Sequence, residues 1–290
     1  MKYRFLPVLI LGLIFLLSII VGCAKQEKDR TIVDDHVSSA VWSKDSRYLF
    51  YDKTKDDLIY RYDVVSKKKI SQNIHGAYVS DVSPDGKWIV FHGYMGLYIA
   101  NFETQVERKV YSTRQSIEHI SWATQHQILF SQDRSEEGPE DIYLLDLGNR
   151  QAKPILKKAS ILHHSSDGEG FIYTNKAGIH YYDLPNMTSK PLLHPALNNE
   201  DISINFIYLS DRRFVYVASP MSDAKSYVEL LDIASMKTKT IQLPNTAHFM
   251  EISPDAARYW YTGPDHQDTE PVKLYLVDIP QETIRQIKGK

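Results

Sequence analysis

A unit of about 40 residues that returns six times, with strand-like runs and turn residues at fixed places inside it, predicts an all-β fold. The fold class expected is a six-bladed β-propeller of four-stranded blades. The segment Val82-Ser83-Pro84-Asp85-Gly86-Lys87-Trp88-Ile89-Val90-Phe91 recurs as Ile252-Ser253-Pro254-Asp255-Ala256-Ala257-Arg258-Tyr259-Trp260-Tyr261. Looser copies are Trp42-Ser43-Lys44-Asp45-Ser46-Arg47-Tyr48 and His164-Ser165-Ser166-Asp167-Gly168. Trp122-Ala123-Thr124-Gln125-His126 and Tyr208-Leu209-Ser210-Asp211-Arg212 hold the same place in two further units. The centres fall at 45, 85, 125, 167, 211 and 255, so the spacing is 40, 40, 42, 44 and 44.

Within a unit the elements follow in order. An apolar strand enters the Ser-Pro-Asp-Gly turn, where proline presets φ, glycine accepts a positive φ and aspartate accepts a nearby backbone N–H. An aromatic or β-branched strand such as 88–91 leaves the turn. After a hairpin comes a run that ends in Asp or Asn, at 58–63, 97–101, 142–146, 179–183, 228–232 and 274–278. There the terminal Asp or Asn starts the next turn. A last strand such as 106–111 or 240–243 closes the unit. Both sets of aspartates are read as turn chemistry. Each unit supplies four strands of its own, which leaves ring closure open: 31–37 is either an extra strand of the last blade or linker.

Ser83 to Phe91, followed by Leu97-Tyr98-Ile99-Ala100, resembles the repeat of the TolB-like β-propellers, which also builds the propellers of prolyl oligopeptidase relatives. The resemblance covers about 37–288 and is closest in the second and sixth units. Its motif is architectural, so it implies a fold and no catalytic residue.

The start of the chain is of another kind. Lys2 and Arg4 precede an apolar run from 5 to 21, and Ile20-Val21-Gly22-Cys23 precedes polar 25–30. A positive end, an apolar core and small residues at the break mark an export signal. Ile20 to Cys23 resembles the bacterial lipobox, which implies diacylglyceryl and acyl (palmitate) modification of Cys23 and cleavage before it. The alternative is an uncleaved span, but a run of 17 residues, interrupted by Pro7, Gly12 and Ser18, falls short of the roughly 20 a helix needs. The expected layout is a signal peptide over 1–22, a lipid-anchored linker over 23–36 and the propeller over 37–290. The protein is then held by lipid on the extracytoplasmic face of the cell membrane. Without Lys2 and Arg4, 32 basic residues stand against 36 acidic ones, which gives no footprint for nucleic acid. Cys23 is the one cysteine, so no internal disulfide forms.

The chain has no Gly-x-Ser-x-Gly elbow, Walker A loop or Gly-x-Gly-x-x-Gly loop, so hydrolase and nucleotide-binding readings lack their residues. No cofactor or metal site is expected. Asp133-Arg134-Ser135-Glu136-Glu137-Gly138 has part of a calcium-loop pattern, but Leu144 stands where its bidentate glutamate belongs. His163 and His164 are expected on opposite sides of a strand. The strand before each turn is innermost in a propeller, so its polar residues can line the axis. Counting back four or six residues from the turn centres selects Asp81, His119, His163, Asn205 and Glu251 as candidate channel ligands. Trp42, Val82, Trp122, Tyr208 and Ile252 are expected to pack between blades. Long hairpin loops at 132–141, 219–227 and 263–273 share one side of the ring and are expected to carry binding. The function expected is a monomeric, non-enzymatic scaffold that binds another envelope protein or peptide. The alternative is a small-molecule or metal-dependent enzyme, such as a polysaccharide lyase, with its site in the channel.

Overall fold

The turn motif locks the first and second units by the same four bonds, and the sixth by the three that involve the Ser253 and Asp255 side chains. In the computed structural model of the chain, Ser83 Oγ donates to Asp85 Oδ1 (2.6 Å) and accepts the Trp88 N–H (2.9 Å). Asp85 Oδ1 also accepts the Lys87 N–H at 3.1 Å, and the Gly86 N–H bonds the Ser83 carbonyl at 2.8 Å. Gly86 takes φ +70°, and Ser46 holds the same place in the first unit at φ +59°. Ser43-x-Asp45 and Ser253-x-Asp255 repeat the pattern with 2.6 Å serine–aspartate bonds. The second set of turn residues behaves as expected. Asp63 accepts the N–H groups of Val65 and Ser66, Asn101 those of Glu103 and Thr104, and Asp146 those of Gly148 and Asn149.

The structure describes residues 30–278 except 57, 75–77, 134–139, 166–167, 193–201, 210–212, 221–226, 233–236, 243–248, 256 and 264–272. Side chains are described except at 30, 202–250, 263 and 277. Cys23, the expected leader and the calcium-like loop at 134–138 lie outside these residues. Among the described residues there is no α-helix, and no helix is long and apolar enough to cross a membrane.

Strand β1 (Arg30–Asp35) precedes a series of antiparallel four-stranded sheets. The first sheet is β2 (Val37–Trp42), β3 (Tyr48–Lys53), β4 (Ile59–Asp63) and β5 (Lys68–Gln72). The second is β6 (Tyr78–Val82), β7 (Trp88–Gly93), β8 (Gly96–Asn101) and β9 (Glu107–Ser112). The third is β10 (Ile117–Thr124), β11 (Gln127–Gln132), β12 (Asp141–Asp146) and β13 (Gln151–Leu156). The fourth is β14 (Ser160–His164), β15 (Gly170–Asn175), β16 (Gly178–Asp183) and β17 (Thr188–Pro191). The fifth is β18 (Ile202–Leu209), β19 (Arg213–Pro220), β20 (Tyr227–Asp232) and β21 (Lys237–Gln242). The sixth is β22 (Phe249–Ile252), β23 (Arg258–Gly263), β24 (Lys273–Asp278) and then β1. First strands of neighbouring sheets touch one another, so they form the inner wall.

Antiparallel order puts the turns after first and third strands on one side, here the turn face. The second-to-third-strand hairpins and the links between sheets lie on the other, the hairpin face. Neighbouring sheets bury shared cores. Phe50 and Ile59 of the first pack with Val82, Ile89 and Phe91 of the second, and Val90 and Leu97 of the second with Trp122, Ile128 and Phe130 of the third. Trp42, Val82, Trp122 and Ile252 are all nearly fully buried, as the packing role requires; the Tyr208 side chain is outside those described. The fourth unit lost the proline but kept Gly168, because a Cβ there would sit 1.9 Å from the Ala123 carbonyl oxygen of the third sheet.

Closure differs from the expectation that each unit supplies four strands. Among the described residues the sixth unit supplies three, and β1 completes its sheet, with Arg30 opposite Val277 and Asp35 opposite Lys273. The expected linker over 23–36 therefore loses 30–35 to the folded domain. The physical reason is that an unpaired outer edge of β24 would otherwise expose its backbone groups. Three layers tie the last sheet to the first. Trp42 Nε1 donates to the Glu251 carbonyl (3.3 Å), the Asp255 N–H bonds Ser46 Oγ (2.9 Å), and Trp260, Leu274 and Leu276 share a core with Trp42 and Leu49.

On the rim, β1 carries Asp34, which accepts from Lys53 Nζ, Lys69 Nζ and Tyr51 Oη of the first sheet, each at 2.8 Å. Burial pushes this carboxyl up, but the bonds from Lys53, Lys69 and Tyr51 outweigh it and hold the pKa at about 2. Asp34→Ala leaves Lys53, whose side chain is 12% exposed, with only the half-exposed Asp35 as a carboxylate partner, at 3.1 Å. The expected loss is about 3 kcal/mol of unfolding free energy, read by urea titration, with faster hydrogen exchange in β24 than in β7. This stabilisation is present above pH 3.8 and is lost as pH falls toward 2.

Candidate functional site

Two places gather polar or aromatic side chains without an obvious packing role. The first is on the axis, at the turn-face end of the inner strands. Lys44, Asp81, His163, His164 and Glu251 line one small cavity beside Trp42 and Pro254. Three of these, Asp81, His163 and Glu251, are residues that the spacing selected. Its volume is about 20 Å³, room for one water-sized occupant.

Asp81 ties the cavity together. Its Oδ1 accepts the Val82 N–H and its Oδ2 the Trp122 N–H of the next sheet, both at 2.7 Å. Lys44 Nζ lies 3.8 Å and His164 Nε2 3.6 Å from the same Oδ2. Glu251 Oε2 accepts from Trp260 Nε1 at 3.2 Å. Burial pushes Glu251 up to about 8, helped by the Asp81 charge. Burial raises Asp81 as well, against Lys44 and its two backbone donors. Burial lowers both histidines, His163 well below its usual value with His164 and Lys44 adding to the effect, and His164 to about 3 with Lys44 adding. At neutral pH the cavity thus holds two neutral imidazoles and a mostly protonated Glu251.

The structure corrects the opposite-sides expectation for His163 and His164. Their rings stack 5.2 Å apart, and both border the cavity. Pairing of β14 with β15 shifts register between Ile161 and His163, which interrupts regular alternation. Among the described residues no further strand lies inside the inner one, so both its faces can reach the axis. Lys44 was missed because it stands in the turn, where the second and sixth units carry proline, and only its long stem brings the ammonium to the axis.

His119 does not line this cavity. Its φ is +49°, where β10 shifts register between Glu118 and Ser121, and the side chain turns out to solvent. The equivalent Val79 and Ile161 stay buried. Among the described residues, Glu118, His119 and Glu140 form the one group offering three potential metal-ligand atoms within 4.8 Å of one another, and it is largely exposed. The axial histidines and carboxylates do not converge in this way. Asn205 lies on β18, with its side chain outside those described.

The second place is a groove of about 1000 Å³ on the hairpin face. Tyr78, His92, Tyr94, Met95, Arg114 and Gln115 are among its walls. The tight β7–β8 hairpin closes through the Gly93–Gly96 pair and lifts Tyr94 clear of the sheet. Tyr94 is 84% exposed and Tyr78 68%. The expected long loops share this face but fall mostly outside the described residues. Sequence reading passed over the groove because a tyrosine in a strand-rich unit is indistinguishable from a packing tyrosine.

No protein-family model matches the chain, and no curated protein does. Solved structures match its fold. An oligogalacturonate lyase in complex with manganese is 13% identical over 86% of this chain and 78% of its own, with a TM-score of 0.58. TolB from Acinetobacter baumannii is 16% identical over 87% of this chain, with a TM-score of 0.56. The match spans 65% of that TolB. Regucalcin from Agrobacterium tumefaciens is described as calcium-binding; it is 10% identical over 85% of this chain and 93% of its own, with a TM-score of 0.55. At these identities the likeness is one of fold: the chain has a β-propeller fold similar to those of the three proteins.

Proposed function

We propose that the chain is a six-bladed, monomeric, lipid-anchored propeller on the extracytoplasmic face of the cell membrane, and that it binds a protein or peptide partner without catalysis. The observation that carries this reading is the contrast of sizes. The axial cavity admits about one water, whereas the groove is about 1000 Å³ and presents two exposed tyrosines and Arg114. Exposed Tyr beside Arg is the side-chain set that dominates interface energetics, and an open groove suits a peptide better than a small substrate that must be enclosed.

The test is crosslinking on intact cells followed by affinity capture. Tyr78→Ala combined with Tyr94→Ala should lower partner recovery at least about tenfold, two modest hot spots' worth, with an unchanged melting temperature. Equal recovery from the variant overturns the groove as the binding surface. A second reading rests on the neutral histidine pair and protonated Glu251: a small-molecule or metal-dependent enzyme working at the axis. Metal found by elemental analysis of the purified chain, and lost on changing His163 and Glu251 to Ala, favours it over the scaffold.

A further inference from the structure

We infer that the turn face is the membrane-facing surface and the tyrosine groove looks away from the bilayer. This rests on lipidation of Cys23 and deepens that reading. β1 is the outermost strand of the sixth sheet. Arg30 pairs with Val277 at the end of β24, and Asp35 pairs with Lys273 at its start. Since β24 runs toward the turn face, β1 enters from that face and climbs toward the hairpin face. Whatever precedes Arg30 must join the ring on the turn side.

Length then decides. Only residues 24–29 separate Cys23 from β1. Seven chain steps span at most about 25 Å when fully extended, and a flexible link of that size averages roughly 15 Å end to end. To present the hairpin face to the bilayer, the link would have to run back along the whole height of the ring. Six residues of strand already take about 20 Å, and the hairpin loops and headgroups add to that. Nearly the full contour would be consumed. With the turn face down, the link stays short and free.

The surface itself agrees. Large apolar side chains that stand exposed on the turn face include Val65 (73%), Val106 (47%) and Met187 (53%), all in or beside turns between third and fourth strands. Turn tips are ordinarily polar, and apolar tips at the rim suit the headgroup boundary of a bilayer. The hairpin face instead exposes Tyr78 and Tyr94 around the groove.

The experiment uses the full acylated chain with Val65→Cys or Tyr94→Cys, each carrying a fluorophore on the new thiol. The chain is bound to phosphatidylethanolamine–phosphatidylglycerol vesicles that contain a nitroxide-labelled lipid. The dye at 65 should lose most of its emission and the dye at 94 should keep nearly all of it. Equal quenching, or the reverse order, in protein that floats with the vesicles overturns the orientation and leaves the anchor standing. Protein that does not float at all removes the anchor and the orientation together.

Discussion

Cys23→Ala should abolish palmitate incorporation and leave the chain unable to mature at Cys23, while the ring melts at an unchanged temperature. Wild-type protein grown with labelled palmitate should carry the label and begin at Cys23 by mass. The size of the effect follows from acyl chemistry. Each buried methylene adds about 0.8 kcal/mol, one chain binds only marginally, and a second adds on the order of 10 kcal/mol. Removing the thiol removes both chains at once, so attachment changes from firm to absent once the leader is gone. The fold is insulated because Cys23 precedes β1, whose pairing with β24 begins at Arg30. A wild type that takes up no palmitate and keeps residues 1–22 makes the apolar run a transmembrane anchor.

What was legible in the sequence was whatever is encoded locally. Ser83, Asp85 and Gly86 fix a turn through bonds to residues within five positions, so the motif reads the same in a sequence and in a structure. Once the turn centre is known, strand periodicity locates Asp81, His163 and Glu251 by counting. Closure was not legible in the same way. The sequence Thr31-Ile32-Val33-Asp34-Asp35 is compatible with strand or linker, and what decides is an edge of β24 some 240 residues away. The same holds for His119: its place by counting is apolar in the second and fourth units, and a local register shift turns it outward. Lys44 and His164 belong to the axial cluster through side-chain reach and ring stacking, neither of which spacing encodes.

The axial cluster makes a second large prediction, a stability that falls as pH rises above 6.5. Between pH 4.5 and about 8, folded Glu251 keeps a proton that the unfolded chain has lost, so stability falls as pH rises through that window. Between about 3 and 6.5, unfolded His164 carries a proton that its folded form refuses, and His163 acts in the same direction, so their contribution there rises with pH. Below pH 6.5 the two histidines act against Glu251 and Asp81, whose carboxyl burial also raises; above it the histidine contribution is complete and the fall follows Glu251. From pH 6.5 to 8 the fall amounts to about 2 kcal/mol, roughly 4–8 °C in melting temperature for a domain of this size. Glu251→Gln keeps an acceptor for Trp260 Nε1 and never ionises. Its melting temperature should stay level from pH 6.5 to 8.5 while the acid limb remains. Changing His163 and His164 together to Gln should do the converse, flattening the limb between pH 4.5 and 6.5. Parallel wild-type and Glu251→Gln curves across the alkaline range would mean that Glu251 is already ionised in the folded ring. In that case the single charge of Lys44, 3.8 Å from Asp81, faces two carboxylates, and the axis is an ionic cluster and not a protonated one.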